Sequence, residues 1–405
     1  MPFAAQLTPG QTVAQHTITE YTLTAEQLHK AEGLHRTNVA LTLVETVFSL
    51  VVIAVFLALR VAPRLERWAR RVSSKRPAQT IVYFPALLFL LALLGLPLEM
   101  YGHHISRAYG LSVQGWGSWA GDWMKEQIVS LLLSTALLTG LYWLIRRSPR
   151  RWWLHGWLLS LPVILALVFL APVVIDPIFN RFEPLAKSNP ELTRRLQDMA
   201  HSTGLDIPES RIFLMHASDK VTTYNAYVTG FGATKRIVVW DTTARDMTTG
   251  QVLFVFGHET GHYVLHHIYK GMAFSFLLSF FGFYLAKVLL EWSIARYGRS
   301  WQVESAAAWS SLPVLLLVAS LLGFLGSPIG NAFSRWQEHQ ADCYGLALTA
   351  RSTPNSAQVA AQSFQLLGEK ALAYPTPSRL LVLWNYTHPT IASRIRFAIE
   401  HPDGR

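Results

Sequence analysis

Six stretches of the chain are long, apolar and almost free of charge. They cover about Val39 to Leu59, Ile81 to Leu98, Ile128 to Ile145, Trp152 to Ile175 and Gly271 to Leu290, and a sixth lies within Ala306 to Phe333, which has no charged residue. At a rise of about 1.5 Å per residue, each can cross an apolar core of about 30 Å as a helix. Residues 177–250 read differently, with charged, polar and apolar positions interleaved and Pro and Gly breaks. Within them, 185–204 predicts an amphipathic helix, and Ser210 to Leu214 and Arg236 to Asp241 predict short strands. Residues 334–405 are again water-soluble in character.

The pattern predicts a mainly α, polytopic membrane protein with about six transmembrane helices and a small α+β domain. Residues 1–176 form an N-terminal membrane domain with four spans, and 177–405 hold the soluble domain and two further spans. Residues 1–36 are polar and lack an apolar core followed by a small-residue cleavage site, so insertion is expected to use the first true span. There is no internal repeat and no low-complexity tract.

Composition agrees: 51% of residues are hydrophobic and 15% charged, against about 25% charged in soluble domains. The net charge of +10 is not a nucleic-acid signal. Its arginines flank the spans, as at Arg64, Arg67, Arg70, Arg71, Lys75 and Arg76, and at Arg146, Arg147, Arg150 and Arg151. Such loops orient spans and touch anionic lipid head groups. Membrane lipids are therefore expected partners and nucleic acid is not. The single cysteine, Cys343, excludes an internal disulfide and a Cys-rich metal site. Three carboxylates lie in or beside spans. Glu99 and Asp176 read as helix-end residues reaching the interface, whereas Glu45, well inside a span, predicts a hydrated chamber.

The chemistry rests on His258-Glu259-Thr260-Gly261-His262, an H-E-x-x-H pattern. Four residues apart on a helix, His258 and His262 share one face and can reach one ion. Glu259 lies off that face, free to approach a metal-activated water, whose pKa falls to about 7 on zinc. It can accept the water's proton and later give one to a leaving amine. A second cluster, Trp336 to Asp342, follows the sixth span. Glu338 there can be the third ligand, leaving a fourth position open. Asp342, one turn on, could hydrogen-bond the far nitrogen of a ligand histidine. One Zn²⁺ per chain is expected. His266 could share the ligand face one turn beyond His262 but too far along for the same site; His266, His267 and His339 read as structural.

With these motifs the chain resembles the M48 metallopeptidases, and within them the Ste24-type CAAX prenyl proteases. The likeness extends to Ile175-Asp176-Pro177-Ile178-Phe179-Asn180-Arg181-Phe182-Glu183-Pro184-Leu185, to Asn225-Ala226-Tyr227 with Gly230-Phe231, to RIVVWDT, to the Glu338 cluster, and to Tyr386-Thr387-His388-Pro389-Thr390 with Arg394. Departures are Thr260, where the family usually has Leu, and Tyr263, where it has a bulkier aromatic. The resemblance implies a zinc endopeptidase on a helical membrane barrel around a chamber. It implies zinc on His258, His262 and Glu338, and Glu259 as general base and acid. His388 and Arg394 would stabilise the oxyanion or hold substrate, and Asn225, Ala226 and Tyr227 would pair with extended substrate backbone.

The implied substrate is a peptide or protein, prenylated near a C-terminal cysteine and trimmed of its last three residues. A broad quality-control protease is the alternative reading, and a non-catalytic zinc scaffold a weaker one. The implied setting is the inner membrane of a bacterium or the ER and nuclear membranes of a eukaryote. Eukaryotic members have seven spans and present the zinc domain to the cytosol. Here six are counted, and basic loops at 60–79 and 146–151 place the catalytic half on the opposite side by the positive-inside rule.

Overall fold

The computed structural model describes residues 17–230 and 234–404. Phe231 and the first part of the polar N-terminal segment lie outside the described residues.

The first helix, α1 (Ala25–Ala58), opens well before the apolar stretch that marks its span. Thr24 accepts from the Gln27 amide while the Gln27 side chain accepts from the Thr24 amide, a reciprocal cap that starts the helix in polar sequence. Hydropathy marked the part of the helix in lipid, not the helix itself. Next comes α2 (Val61–Val72), which differs from the expected basic loop. Ala62, Glu66 and Ala69 are buried along one face, while Arg64, Arg67, Trp68 and Arg71 are exposed. Its arginine content hides a helical period, and its two faces suit the membrane surface.

Three long helices follow: α3 (Arg76–Ala108), α4 (Trp116–Arg147) and α5 (Trp152–Leu170). The last continues through a π turn at Ala171–Ile175, which contains Pro172, into α6 (Asp176–Phe179). The soluble part holds β1 (Phe182–Pro184), α7 (Pro190–Ser202), β2 (Ile212–Met215), β3 (Ala226–Thr229), β4 (Arg236–Trp240) and α8 (Asp241–Asp246). Then come α9 (Thr249–Val264), α10 (His267–Trp301), α11 (Leu312–Thr349), α12 (Ser356–Lys370), α13 (Arg379–Asn385) and α14 (Ile391–Glu400). The expected helix at 185–204 is thus shorter, because Pro190 starts α7 behind the cap of Asn189. Both expected strands exist within a residue or two at each end, and β1 is an addition.

Among the described residues, six helices are long and apolar enough to cross a membrane, and only 6% to 28% of their apolar windows is buried within the protein. That much bare apolar surface needs lipid. The spans touch in the order α1, α3, α4, α5, α10, α11, and α11 returns to α1, closing a ring. Where α3 and α4 meet the soluble domain, a cavity of about 670 Å³ is lined by Glu99, His103, Asp122 and Glu126 and closed by Val221 and Thr223. Glu99 is exposed and lines this cavity, accepting from Trp123 Nε1 at 2.6 Å. Asp176 pairs with Arg236 at 2.9 Å, which ties the end of the fourth span to β4. Glu45 is exposed midway along α1.

The sheet has the order β1-β2-β4-β3, with β2 and β4 parallel and the outer pairs antiparallel. Leu196, Ile212, Ile237, Val239 and Phe256 form the core between sheet, α7 and α9. Phe254, Phe364 and Ile395 join α9, α12 and α14, and Tyr21 from the segment before α1 packs with them. The Tyr21 hydroxyl donates to Ala373 O at 2.9 Å. The N-terminal segment and the soluble domain thus share one end of the ring. Arg70, Arg76, Arg146 and Glu304 gather around one pocket at the other.

Candidate metal centre and active site

Helix α9 starts at Thr248, whose side chain caps the Gln251 amide. It ends at Leu265, where His266 turns left-handed at φ 59° before α10 begins. The motif occupies its last turns. The soluble extension of α11 crosses α9 closely enough that two glycines are required. A Cβ on Gly345 would sit 2.9 Å from His258 N, and one on Gly261 would sit 3.0 Å from Tyr344 Cβ. This contact brings Glu338 to the histidines across 76 residues of sequence (338 − 262).

His258 Nε2 and His262 Nε2 are 3.2 Å apart. Glu338 Oε2 lies 3.3 Å from the first and its Oε1 lies 3.4 Å from the second. Donors at about 2.0–2.1 Å from a tetrahedral ion stand about 3.3 Å from one another. The three side chains fit one cation on that measure, and Glu338 Oε2 is buried with no hydrogen-bond partner of its own.

Each histidine has its other nitrogen engaged. His258 Nδ1 donates to Asp342 Oδ1 at 2.8 Å, which leaves Nε2 with its lone pair. Asp342 in turn accepts two bonds from Arg394, Nε at 2.9 Å and Nη2 at 2.6 Å, and the guanidinium lies over the Phe364 ring at 4.3 Å. His262 Nδ1 is 3.1 Å from His267 Nδ1, and His267 Nε2 is 3.1 Å from Gln340 Oε1. The amide oxygen can only accept, so His267 carries its proton on Nε2 and accepts on Nδ1 from His262. His262 Nε2 is then also a free lone pair. Of the three extra histidines, His267 touches a motif histidine and His266 stands at the helix break.

Glu259 lines a cavity of about 360 Å³ with His258, Asn225, Phe254, Phe364 and His388. Burial pushes its carboxyl up to about 7, partly opposed by the charge on His258 and by the Val228 backbone. Burial drives His262 down to about 4. His258 rises to about 9 despite its burial, because Asp342 and Glu338 hold its charged form.

His388 faces the centre, with Nε2 3.3 Å from Glu338 Oε2 and Nδ1 2.9 Å from Thr387 Oγ1. Arg394, grouped with it by resemblance, lines the same cavity and is bound to Asp342 behind His258. Val228 on β3 reaches Glu259 through its backbone, and among the described residues β3 pairs only with β4, on the side away from its outer edge. Ala226 is buried in the core beneath, whereas Asn225, just before the strand, lines the cavity. Sequence reasoning missed the His267–Gln340 pair. Its one signal was Gln340, two residues past Glu338.

Comparison with known proteins bears on this geometry. Residues 186–401 match the family described as Peptidase family M48, and residues 11–181 match that described as CAAX prenyl protease N-terminal, five membrane helices. The chain is 36% identical to the Uncharacterized metalloprotease YhfN of Bacillus subtilis over 85% of its length and 79% of that protein's. It is 26% identical to CAAX prenyl protease 1 of Saccharomyces cerevisiae over 91% and 85%, and 25% identical to CAAX prenyl protease 1 homolog of Homo sapiens over 78% and 73%. The fold matches the crystal structure of S. mikatae Ste24p with a TM-score of 0.79 at 23% identity, covering 92% of this chain and 88% of that one. The paired donor cluster, the ring of spans and these matches together make the chain a member of peptidase family M48, a multi-pass membrane metallopeptidase.

Proposed function

We propose that this protein is a zinc endopeptidase that removes the C-terminal tripeptide from prenylated substrates. The observation that carries the reading is the triangle of His258, His262 and Glu338 donors at 3.2–3.4 Å beside Glu259. Two imidazoles and one carboxylate with an open fourth position suit catalytic zinc. The ion, when bound, supplies Lewis acidity and a water that ionises near neutral pH. Glu259 would take that water's proton and hand one to the leaving amine. His388, whose Nε2 lies beside Glu338, would donate to the oxyanion that develops on the substrate. Arg394 works through Asp342, fixing the tautomer of His258. The outer edge of β3 holds the substrate main chain, and the apolar cleft takes its aliphatic side chains.

The relatives' names supply the prenylated substrate. A broader role in membrane-protein quality control is the second reading, favoured by the β3 edge, which binds main chain whatever the sequence. The purified protein should cleave a farnesylated C-a-a-X peptide and spare its unprenylated twin. Glu259→Gln should lower turnover by about 10²–10⁴-fold while keeping one zinc. Equal cleavage of both peptides would select the second reading; no cleavage by zinc-loaded protein would sink both. The basic loops lie away from the metal centre, so we also place that centre on the non-cytoplasmic face of a bacterial inner membrane, or on the lumenal face of ER or nuclear membrane. Sealed vesicles should then cleave an impermeant peptide only from that face.

A further inference from the structure

At the end of the ring remote from the metal centre lies a cavity of about 300 Å³ into which Arg76, Arg146 and Arg147 converge. No carboxylate lines it. The acids that approach this end, Glu66 and Glu304, line an adjoining cavity that shares Arg76, Arg146 and Trp309 with it. Glu66 is fully engaged there, with Oε1 2.6 Å from Arg70 Nη2 and Oε2 accepting the Ser310 amide at 2.8 Å. Among the described residues, none of the three arginines has a carboxylate within ion-pair distance. The Arg146 guanidinium carbon lies 3.5 Å from the Trp309 ring centroid, a cation–π contact that holds the charge at the pocket wall. Like charges crowded into one pocket repel, and an anion seated between them reverses the sign of that term.

The pocket is also built on the membrane. Arg76 opens α3, and Arg146 and Arg147 close α4, both spanning helices. The wall continues from the arginines over Pro77 and Trp143 to Thr139. Thr139 is seven residues before Arg146, two turns or about 10 Å further into the apolar zone. Trp143 is 60% exposed on that wall, as an indole at a lipid interface is. Charge at the mouth and an apolar wall running inwards match an amphiphile, not a free ion.

We infer that this pocket binds one anionic phospholipid, phosphate among the three guanidiniums and glycerol and first acyl carbons along Pro77, Thr139 and Trp143. A zwitterionic lipid would bring an ammonium into the same cluster and bind less well. The site is independent of the peptidase reading, since it touches none of the residues around Glu259.

The test uses full-length, zinc-loaded protein in mild detergent, exposed to phosphatidylglycerol, phosphatidylcholine, or glycerol phosphate. Retained lipid is counted by native mass spectrometry. Arg76 and Arg147 are exposed, so Arg76→Gln with Arg147→Gln should fold. The control is Arg64→Gln with Arg67→Gln, two exposed arginines of α2 outside the pocket. One phosphatidylglycerol should be retained per chain, held roughly thirtyfold more weakly by the pocket variant and nearly as well by the control. Glycerol phosphate should not compete. Equal retention of phosphatidylcholine, equal loss in the two variants, or displacement by glycerol phosphate would overturn the inference.

Discussion

The two motif histidines sit one helical turn apart, yet different regions of the protein stand behind them. Behind His258 is an ionic stack: Asp342 from α11, then Arg394 from α14, then the Phe364 ring from α12. Behind His262 is a neutral pair, His267 from the start of α10 and Gln340 from α11. Both fix the ring so that Nε2 faces the donor cluster. The ionic backing also raises His258 to about 9, whereas His262 falls to about 4 through burial and the charge of its neighbour. One histidine is held as a strong base and the other as an unprotonated ligand. Damage to the first backing should strike fold and metal together, and damage to the second should strike metal alone.

The largest effect is expected from Asp342→Ala. It leaves Arg394 buried without its carboxylate partner, which costs about 3–5 kcal/mol. It also frees the His258 ring, which costs a further 10–100-fold, roughly, in metal affinity. Thermal unfolding of the metal-free protein measures the first part and chelator competition the second. An unchanged melting temperature without metal would show that the Asp342–Arg394 pair does not hold these helices together.

His267→Ala should cost about 10–100-fold in metal affinity and little in the melting of metal-free protein. His267→Gln separates a positioning role from a packing one. Its amide oxygen can still accept from His262 Nδ1, so it should restore most of the affinity. Equal loss in both variants would mean that the imidazole merely fills space.

The His258, Glu259 and His262 cluster was legible because a helix converts spacing into geometry, and Glu338 and Asp342 followed by the same rule on α11. His267 was not legible. On an unbroken helix His266 shares the ligand face and His267 points elsewhere. The break at His266, with φ 59° and no glycine or proline to announce it, rotates the chain and swaps them. Arg394 shows another limit: spacing and resemblance place a guanidinium near the site but not its partner, which depends on how α14 packs. The spans were legible because lipid demands a run of apolar residues. Their polar ends and α2 were missed because the helix there is sustained by a cap and by burial of one face.

The contrast in basicity has a consequence for metal uptake. A ligand must be unprotonated to bind. His262, near 4, is ready at neutral pH, whereas His258, near 9, must first lose its proton. Zinc added to metal-free protein at pH 7–8 should therefore release about one proton from His258. The sign follows: His258 is raised above its ordinary 6.5, so its protonated form opposes binding at every pH below about 9. Affinity should rise about tenfold per pH unit through that range and level off above it. Calorimetry in buffers of different ionisation heat counts the proton. Asp342→Asn removes the charge that lifts His258 but keeps an acceptor for Nδ1, so it should move the plateau towards neutral pH. A slope of zero in the unsubstituted protein would mean that both histidines arrive neutral, and the asymmetry between their backings would have no chemical effect.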